Sequence, residues 1–320
     1  MRQALQQAHS SDSGRSPTLL SESKDDSIMV PEEAISPTED SSSPSDNLID
    51  RLCGMKPRMN SNGDGSTRYF GPTSSLHFTE TPSSISSYGN GLLCNDIDFS
   101  KSIPEPLQHH LLDLYWSYQH SVLPVIHKEA FLAGLEPGHG PYFSRCLLLC
   151  ILASGSRIST SPHVRSLSIP SDDADKNDRR PLLKAAEEAL EKEIMSPSIT
   201  TIQSLLLLSV IHCIQSNDSK GWMLSGNACR LVFDLGLHQD WTYLPATRLS
   251  AIDVEVRQVV FWGCFGLDRL WALYLGRPPF IKLTDVSTRK PDLNSRTWEL
   301  RVSAAWVRLL DIAGQIGDRL

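Results

Sequence analysis

Apolar residues recur every three or four positions along most of residues 99–320, whereas residues 1–98 show no such periodicity. Side chains at this spacing share one face of a helix, so the pattern predicts a helical body. Pro104 and Pro106 lie where the first helix opens, and Pro124 ends it, because proline lacks the N–H that a helix interior needs. The predicted helices cover residues 103–123, 141–158, 179–195, 198–215, 220–235, 252–275 and 296–320.

The apolar residues are distributed differently in two of these helices. Residues 179–195 are amphipathic, with leucines such as Leu182 and Leu190 on one face and Glu187 and Glu191 on the other. Residues 198–215 are apolar nearly all round, which is typical of a helix buried at the centre of a domain. No alternating strand pattern and no fixed repeat is found. The sequence therefore predicts an all-α multi-helix domain of about seven helices.

Residues 1–98 have the composition of a Ser/Pro-rich linker. Twelve of the first fifty residues are serine, with acidic pairs such as Glu32-Glu33 between prolines. So little apolar surface cannot offset the entropy lost on folding, so we expect residues 1–98 to be disordered. The domain division is then a linker over 1–98 and a helical domain over 99–320. The chain ends inside a helical pattern with no stop signal, which predicts a truncated or an unusually short C-terminus.

Charge and cysteine usage exclude several classes of protein. The formal charge of −7 leaves no basic field for a phosphate backbone. Seven scattered cysteines without a C-x-x-C pair are typical of reduced, buried thiols rather than of a disulfide framework. The N-terminus has no secretory signal, and the apolar runs are shorter than the ~20 residues that span a bilayer. We expect a soluble intracellular protein that does not contact a membrane.

Residues 221–240 contain the first of three informative segments. Gly221, Ser225 and Ala228 place small side chains on one helix face, which predicts close packing of a second helix. Arg230 and Asp234 are spaced i, i+4 and are expected to pair on the helix surface. Gly236 then fits a helix end that requires a left-handed residue, with His238 just beyond it.

A long aromatic helix that ends at a Gly-Arg-Pro-Pro turn forms the second segment, residues 257–281. Gly276 is expected to adopt positive φ, and the prolines after Arg277, the first of them Pro278, prevent the helix from continuing. Asp268, followed by Arg269, lies among apolar residues, and a buried carboxylate is costly unless it is paired. Since a guanidinium fork suits a carboxylate, an ion pair between Asp268 and Arg277 is a hypothesis.

These segments, together with residues 121–131, resemble in this order the fungal-specific transcription factor domain, or middle homology region. The resemblance covers residues 66–320, and its start is similar to the Arg-Tyr-x-Gly motif that often precedes that domain. The matched residues are Arg68, Tyr69, Gly71, Pro124, Val125, Ile126, His127, Phe131, Trp222, Gly226, Ala228, Arg230, Leu235, Gly236, Leu237, His238, Asp240, Arg257, Phe261, Trp262, Phe265, Asp268, Arg269, Gly276, Arg277 and Pro278.

The resemblance implies the regulatory region of a fungal zinc-cluster transcription factor. Such a region would help to control RNA polymerase II transcription of a metabolic or biosynthetic gene set in the nucleus. Homodimerisation, transcription machinery or coregulators, and a small-molecule effector are the partners implied. In the family zinc is the cofactor of a separate N-terminal six-cysteine cluster, whose spacing is missing here. Contact with DNA is therefore expected only through a zinc cluster that this sequence does not contain.

Two other functions remain open from the residues. A cluster-less relative would act as a corepressor or scaffold. An all-α magnesium-dependent enzyme would use the acidic run with Asp172, Asp173 and Asp175, although a solvated loop is the simpler interpretation. The same run departs from a calcium loop, which needs Gly where Asp178 lies and Glu where Lys184 lies. No P-loop, nucleophile elbow or zinc-protease motif is found, so we expect no enzyme, catalytic residue, cofactor or metal site.

Overall fold

The computed structural model describes residues 58–61, 67–71, 103–168, 181–240 and 249–317, all within the compact unit of residues 49–320. The described residues contain nine α-helices, with a π-helical turn at Tyr115–Gln119 and a 3-10 turn at Leu283–Asp285. The helices are α1 (Glu105–Leu114), α2 (Lys128–Leu135), α3 (Arg145–Ile158), α4 (Pro162–Arg165), α5 (Pro181–Glu193), α6 (Ile199–Ile214), α7 (Asp218–Asp234), α8 (Ala251–Leu275) and α9 (Trp298–Gly317).

The all-α prediction is confirmed, with two helices that periodicity alone does not predict. Helix α2 has eight residues and α4 has four, so neither is long enough to repeat an apolar pattern. The first begins where Nδ1 of His127 accepts a hydrogen bond from the Ala130 N–H at 3.3 Å. That N-cap satisfies a backbone N–H that the first helical turn leaves without a partner.

A short antiparallel hairpin precedes the helices. It pairs β1 (Arg58–Ser61) with β2 (Thr67–Phe70). The prediction of disorder throughout residues 1–98 is wrong for these two strands. Four-residue strands are too short to show alternation in the sequence. The rest of residues 1–98 lies outside the described part of the chain, so the division at residue 98 stays a prediction.

Helix α6 lies at the centre of the fold and contacts α3, α5, α7 and α8. Apolar residues on all its sides, such as Ile202, Leu205 and Leu208, are buried, as the sequence predicts for a central helix. Its buried polar side chains also have structural roles. Nε2 of Gln203 donates to the Val125 carbonyl at 3.1 Å. Because residues 124–126 have no helical partners, this bond satisfies a carbonyl that the core would otherwise leave unpaired.

Several helix ends carry the signals that the sequence contains. Ser198 is the N-cap of α6, and its N–H donates to Oγ1 of Thr201 at 3.0 Å. Helix α8 begins with a reciprocal capping box between Ser250 and Asp253. It ends at Gly276, where φ is 64° as predicted. These local signals bring the C-terminal ends of α7 and α8 into the site described next.

Candidate functional site

The C-terminal end of α7 is held by the hairpin rather than by its own helix. Nη1 of Arg68 on β2 lies 2.8 Å from Oδ2 of Asp234, and its Nη2 donates to the Pro197 carbonyl at 3.3 Å. The predicted surface pair between Arg230 and Asp234 is therefore wrong. A pair four residues apart on an exposed helix contributes only ~0.3–0.5 kcal/mol, so a second partner displaces it easily. Gly236 follows with φ of 66°, as predicted.

His238 lies just beyond this end and is buried, with 3% of its surface exposed. Its ring packs against Phe233 at a centroid distance of 4.5 Å and edge-on against Tyr69 at 4.6 Å. Its carbonyl accepts the N–H groups of Ser287 and Thr288. Burial lowers the pKa of His238 to about 4, although the Val232 carbonyl partly opposes that shift. The ring is therefore uncharged near neutral pH and joins three segments of the chain.

Asp268 on α8 holds the loop that follows its own helix. Its carboxylate accepts the N–H of Phe280 at 3.1 Å and that of Ile281 at 2.9 Å. Burial raises the pKa of Asp268, and these two hydrogen bonds oppose the rise. The hypothesis that Asp268 pairs with Arg277 is wrong. Two backbone donors satisfy the carboxylate without the desolvation of a second charge.

Arg269, the next residue along α8, also binds this loop. Its Nη2 donates to the Ile281 carbonyl at 3.0 Å, and its guanidinium lies 5.1 Å from the centre of the Phe265 ring. The Ile281 N–H thus donates to Asp268, and the Ile281 carbonyl accepts a hydrogen bond from Arg269. Gly276 reverses the chain and Pro278 has no N–H to continue the helix. Together these residues return the loop against α7.

Arginines 230 and 277 make no ion pair within the described residues, and each lies over an aromatic ring. The guanidinium of Arg277 is 4.3 Å from the centre of the Trp222 ring. That of Arg230 is 5.6 Å from the centre of the Phe280 ring, which itself contacts Phe233 edge-on at 6.1 Å. The structure thus brings Arg277 to α7 and Phe280 to Arg230, so the two family-like segments form one contiguous site.

Small residues make this contact possible. A Cβ added to Gly221 would lie 2.7 Å from the Trp271 ring and 2.8 Å from the Ser209 carbonyl. Ser225 and Ala228, further along the same helix, are buried. The predicted packing face of Gly221, Ser225 and Ala228 is therefore confirmed. It lets α7 approach both α6 and α8 closely.

A second polar cluster, which the sequence analysis did not predict, fastens α9 to the segment between α1 and α2. Nε2 of His120 lies 3.2 Å from Oε1 of Glu299, and the Lys128 N–H donates to the same oxygen at 3.2 Å. Next to it, Oγ1 of Thr297 donates to Oε2 of Glu255 at 2.7 Å, and Nε2 of His127 lies 3.4 Å from that atom. The pairs join residues far apart in the chain, so no local signal could have revealed them.

The charge of Glu299 is strongly favoured in this cluster. Its side chain is buried, which by itself raises its pKa, but the bonds from His120 and Lys128 lower it to about 2. The carboxylate is ionised at any ordinary pH. These hydrogen bonds attach the start of α9 to the segment that precedes α2.

The buried cysteines behave as small apolar residues. Sγ of Cys229 lies 3.8 Å from Sγ of Cys264 across the contact of α7 and α8, and both are buried and unoxidised. The neighbouring Cys264 thiol and burial raise the pKa of Cys229, and burial raises that of Cys150. A thiol with a raised pKa is a poor nucleophile. These residues therefore pack rather than react.

Metal chemistry has no support in the described part of the chain. No group of three or more His, Cys, Asp or Glu side chains there is arranged to hold a metal ion. Asp172, Asp173 and Asp175, the residues of the alternative magnesium enzyme, lie outside the described residues. No described helix is long and apolar enough to cross a membrane.

The family model described as "Fungal specific transcription factor domain" matches residues 112–313. That range contains α2 to α8, most of α9 and every residue of the site on α7 and α8. No solved structure matches the chain significantly.

Three relatives illustrate the similarity. An uncharacterized transcriptional regulatory protein of Schizosaccharomyces pombe is 40% identical over 179 residues, 55% of this chain and 27% of the relative. The nitrogen assimilation transcription factor nirA of Emericella nidulans is 31% identical over 241 residues, 72% of this chain and 26% of the relative. A Zn(2)-C6 fungal-type transcription factor of Fusarium oxysporum is 29% identical over 197 residues, which cover 56% of this chain and 19% of the relative. The matches thus span about a quarter of these relatives or less.

Proposed function

Because the chain belongs to the fungal-specific transcription factor domain family, we propose that it is the regulatory region of a factor controlling RNA polymerase II transcription. The observation that carries the proposal is the family match over residues 112–313. The site supports it chemically. Most of its polar residues hold chain segments together: Asp268 and Arg269 bind backbone groups of the loop after α8, and Asp234 binds Arg68 of the hairpin. The protein is therefore proposed to regulate and not to catalyse.

The finer parts of the proposal concern what is regulated and where. A relative named as a nitrogen assimilation factor supports control of a metabolic or biosynthetic gene set, and a role in transcription supports a nuclear location. Homodimerisation, binding of coregulators and response to a small-molecule effector are proposed as the means of control. Binding of DNA and of zinc is assigned to a separate zinc cluster, because a relative is named as a Zn(2)-C6 transcription factor. The cysteine spacing of this sequence does not supply that cluster.

A tethering experiment tests the regulatory role directly. The full chain is fused to a heterologous DNA-binding domain and assayed on a yeast reporter with matching operator sites. We expect reporter transcription to change several-fold against the DNA-binding domain alone. We expect that change to be altered in D268A, which frees the loop after α8, but not in D113N, an exposed position on α1. A fusion that is nuclear and folded but leaves the reporter unchanged would contradict the proposal.

Gene expression in the encoding fungus tests the target class. Deleting the gene, or replacing it with D268A, is expected to shift the transcripts of a limited metabolic or biosynthetic set together. Reading the transcript upstream of the Met1 codon then separates the DNA-binding factor from the cluster-less corepressor. A six-cysteine cluster in frame supports the former, and a stop codon without such a cluster supports the latter. No transcript change under any nutrient condition would argue against both.

A further inference from the structure

One face of α7 runs beside the end of α8 and forms a strip of exposed and half-exposed residues. Asp218, Trp222, Gly226 and Arg230 succeed one another at intervals of four residues, so they lie along one side of the helix. They span about 18 Å at ~1.5 Å per residue. We call this strip, together with the residues of α8 and its loop that border it, the α7 edge.

Three residues from the end of α8 and its loop border this row in the same order. The hydroxyl of Tyr274 lies 3.3 Å from Oδ2 of Asp218 at one end. Arg277 lies over Trp222 in the middle, and Phe280 lies beside Arg230 at the other end. The strip is therefore built from two segments that Asp268 and Arg269 hold in register.

The two guanidiniums of the α7 edge are free to bind a ligand. Arg230 and Arg277 are exposed, and neither has an ion pair or a side-chain hydrogen bond within the part of the chain that the structure describes. In each, an aromatic ring lies against one face of the guanidinium. The N–H groups at the rim of the plane remain available, and their fork matches the two oxygens of a carboxylate.

Between the two arginines the helix surface is bare. Gly226 has no side chain, and a Cβ added there would meet only Nη1 of Arg230, at 3.7 Å. A ligand can therefore approach the α7 backbone between Trp222 and Arg230. Gly226 thus forms a shallow depression, which we call the floor of the α7 edge. Arg230 with Phe280 lies on one side of it, and Arg277 with Trp222 lies on the other.

The same two segments carry exposed large apolar side chains. Met223 is 55% exposed, Leu273 53%, Tyr274 60% and Phe280 47%. Exposed apolar residues on neighbouring segments are typical of a site of interaction. Here it accompanies two unpaired cations in a chain whose formal charge is −7. The local charge is thus opposite to that of the whole molecule.

We propose that the α7 edge binds an acidic peptide segment of a partner protein, with carboxylates on Arg230 and Arg277 and apolar side chains on the exposed residues around them. A peptide fits better than a small molecule, because the strip is long and open rather than enclosed. Asp218 lies at one end, so the carboxylates of the peptide belong toward Arg230. The inference goes beyond the proposed function, since it concerns a binding surface and holds whichever genes are regulated.

Fluorescence polarisation with the full chain tests the charges. The probe is a fluorescein-labelled fifteen-residue peptide in which four aspartates and glutamates are interspersed with leucine and phenylalanine. The double variant R230Q/R277Q is expected to bind it about tenfold more weakly or worse, because two charge-assisted contacts are lost. R165Q/R308Q removes the same charge at exposed positions elsewhere and is expected to bind as the unmodified chain does. Circular dichroism melting confirms that each variant is folded.

Gly226→Leu tests the floor and keeps both arginines. A leucine there fills the space between them, and peptide affinity is expected to fall about tenfold. Gly314→Leu, on α9 where an added Cβ meets nothing within 4 Å, is the matched control. If R230Q/R277Q does not fold, this pair of variants decides the question.

Two further probes separate the proposed ligand from other anions. A peptide with asparagine and glutamine in place of the acids is expected to bind at least tenfold more weakly. Vesicles of phosphatidylserine and phosphatidylcholine are expected not to compete with the acidic peptide. The proposal is overturned if the amide peptide binds equally well, if the vesicles displace the peptide, or if Gly226→Leu and Gly314→Leu bind alike. None of these outcomes depends on the reporter experiment, so the two proposals fail independently.

Discussion

Single residues at the site are explained by what their polar atoms reach. His238 is uncharged because burial between aromatic rings disfavours its cation. Asp268 remains among apolar residues because two backbone N–H groups replace the water that it loses. In both cases the side chain holds backbone of another segment in place. Polar residues near a helix end therefore position chain segments here, and the two predictions at this scale follow from that role.

Substitution of His238 by phenylalanine should remove part of the dependence of stability on pH. The pKa of His238 is about 4 in the folded protein and ~6.5 when unfolded. The unfolded chain thus binds more protons between these values, and stability falls as pH drops through this window. The loss amounts to about 2–3 kcal/mol by pH 4. Chemical denaturation from pH 7.5 to 4 should show this decrease in the unmodified chain, and a smaller one in His238→Phe. Equal slopes would show that His238 is not the group responsible.

Asp268→Asn should destabilise the fold although it preserves the shape of the side chain. Asparagine offers one oxygen and one NH₂ group to two backbone donors, so one of the N–H groups of Phe280 and Ile281 loses its acceptor. An unsatisfied buried donor costs about 1–3 kcal/mol. Urea denaturation at pH 7 measures the loss, with the exposed Asp113→Asn as the control. A change below 0.5 kcal/mol in Asp268→Asn, within the ~0.5 kcal/mol scatter of surface variants, would contradict the assigned role.

Whole elements are fixed by their ends and by their closest contacts. Helix α8 stops at a left-handed glycine, and α7 is held against its neighbours by residues without bulk. Helix α9 packs against α8 and buries apolar side chains such as Ala304 and Leu310, and Glu299 also bonds to His120 and the Lys128 N–H. The cost of a substitution at these places depends on whether it disturbs the backbone, the packing or the charge, and the variants below separate these causes.

Three glycine-to-alanine variants should behave differently because each glycine has a different role. Gly276→Ala should cost about 1–2 kcal/mol, since φ is 64° and nothing lies within 4 Å of the added Cβ. Gly221→Ala should cost about 1–3 kcal/mol through overlap with Trp271 and the Ser209 carbonyl. Gly314→Ala should be neutral or stabilise by up to ~1 kcal/mol, because alanine favours an open helix position. Thermal denaturation of the three variants provides the comparison. A Gly314→Ala variant that is less stable than the other two would refute the assigned roles.

Glu299→Gln tests the attachment of α9. The pKa of Glu299 is about 2 when folded and ~4.3 when unfolded. Its charge therefore stabilises the fold above pH 4.3, and the benefit disappears as pH falls toward 2. The variant should lose ~2 kcal/mol at pH 7 and approach the unmodified chain in stability near pH 2. Hydrogen exchange should quicken in α9. The exposed Glu136→Gln serves as control, and equal exchange in both variants would refute this role.

At the largest scale, the described residues of the unit 49–320 form helices packed around α6, with a hairpin attached at the end of α7. The hairpin is joined through Arg68, which reaches both Asp234 and the Pro197 carbonyl. Tyr69 adds an edge contact with His238. The hairpin contributes no side chain to the hydrophobic core, whose buried apolar residues lie between Ile103 and Val307 in the described part of the chain. The helices and the hairpin should therefore respond separately to a substitution at their junction.

Arg68→Gln should loosen the hairpin without unfolding the helices. The pair with Asp234 is partly exposed, with 18% and 44% of the two side chains accessible, so its loss should cost about 1 kcal/mol or less. Amide exchange monitored by mass spectrometry should become faster in residues 58–61 and 67–70 and stay unchanged in α6. Arg165→Gln is the control for loss of a surface arginine. Faster exchange in α6 would mean that the hairpin supports the core after all.

The sequence predicts long secondary-structure elements better than it predicts short ones or the contacts that charged side chains make. Helices of ten residues or more, the central position of α6 and the left-handed conformation of Gly236 and Gly276 were predictable, because periodicity and backbone sterics act within a few residues. The small-residue face of α7 was predictable for the same reason. Helices α2 and α4 and the hairpin were not, since none of them is long enough to establish a pattern.

The sequence by itself thus determined the helical class, the helix ends and the family-like segments. Tertiary structure alone decided the partners of the charged residues. Asp268 binds backbone rather than Arg277, Asp234 binds Arg68 from 166 residues away, and Arg230 and Arg277 lie on aromatic rings. The reason is physical. A long charged side chain gains little from a neighbour on its own exposed helix, so whichever buried or preorganised group the fold brings within reach becomes its partner.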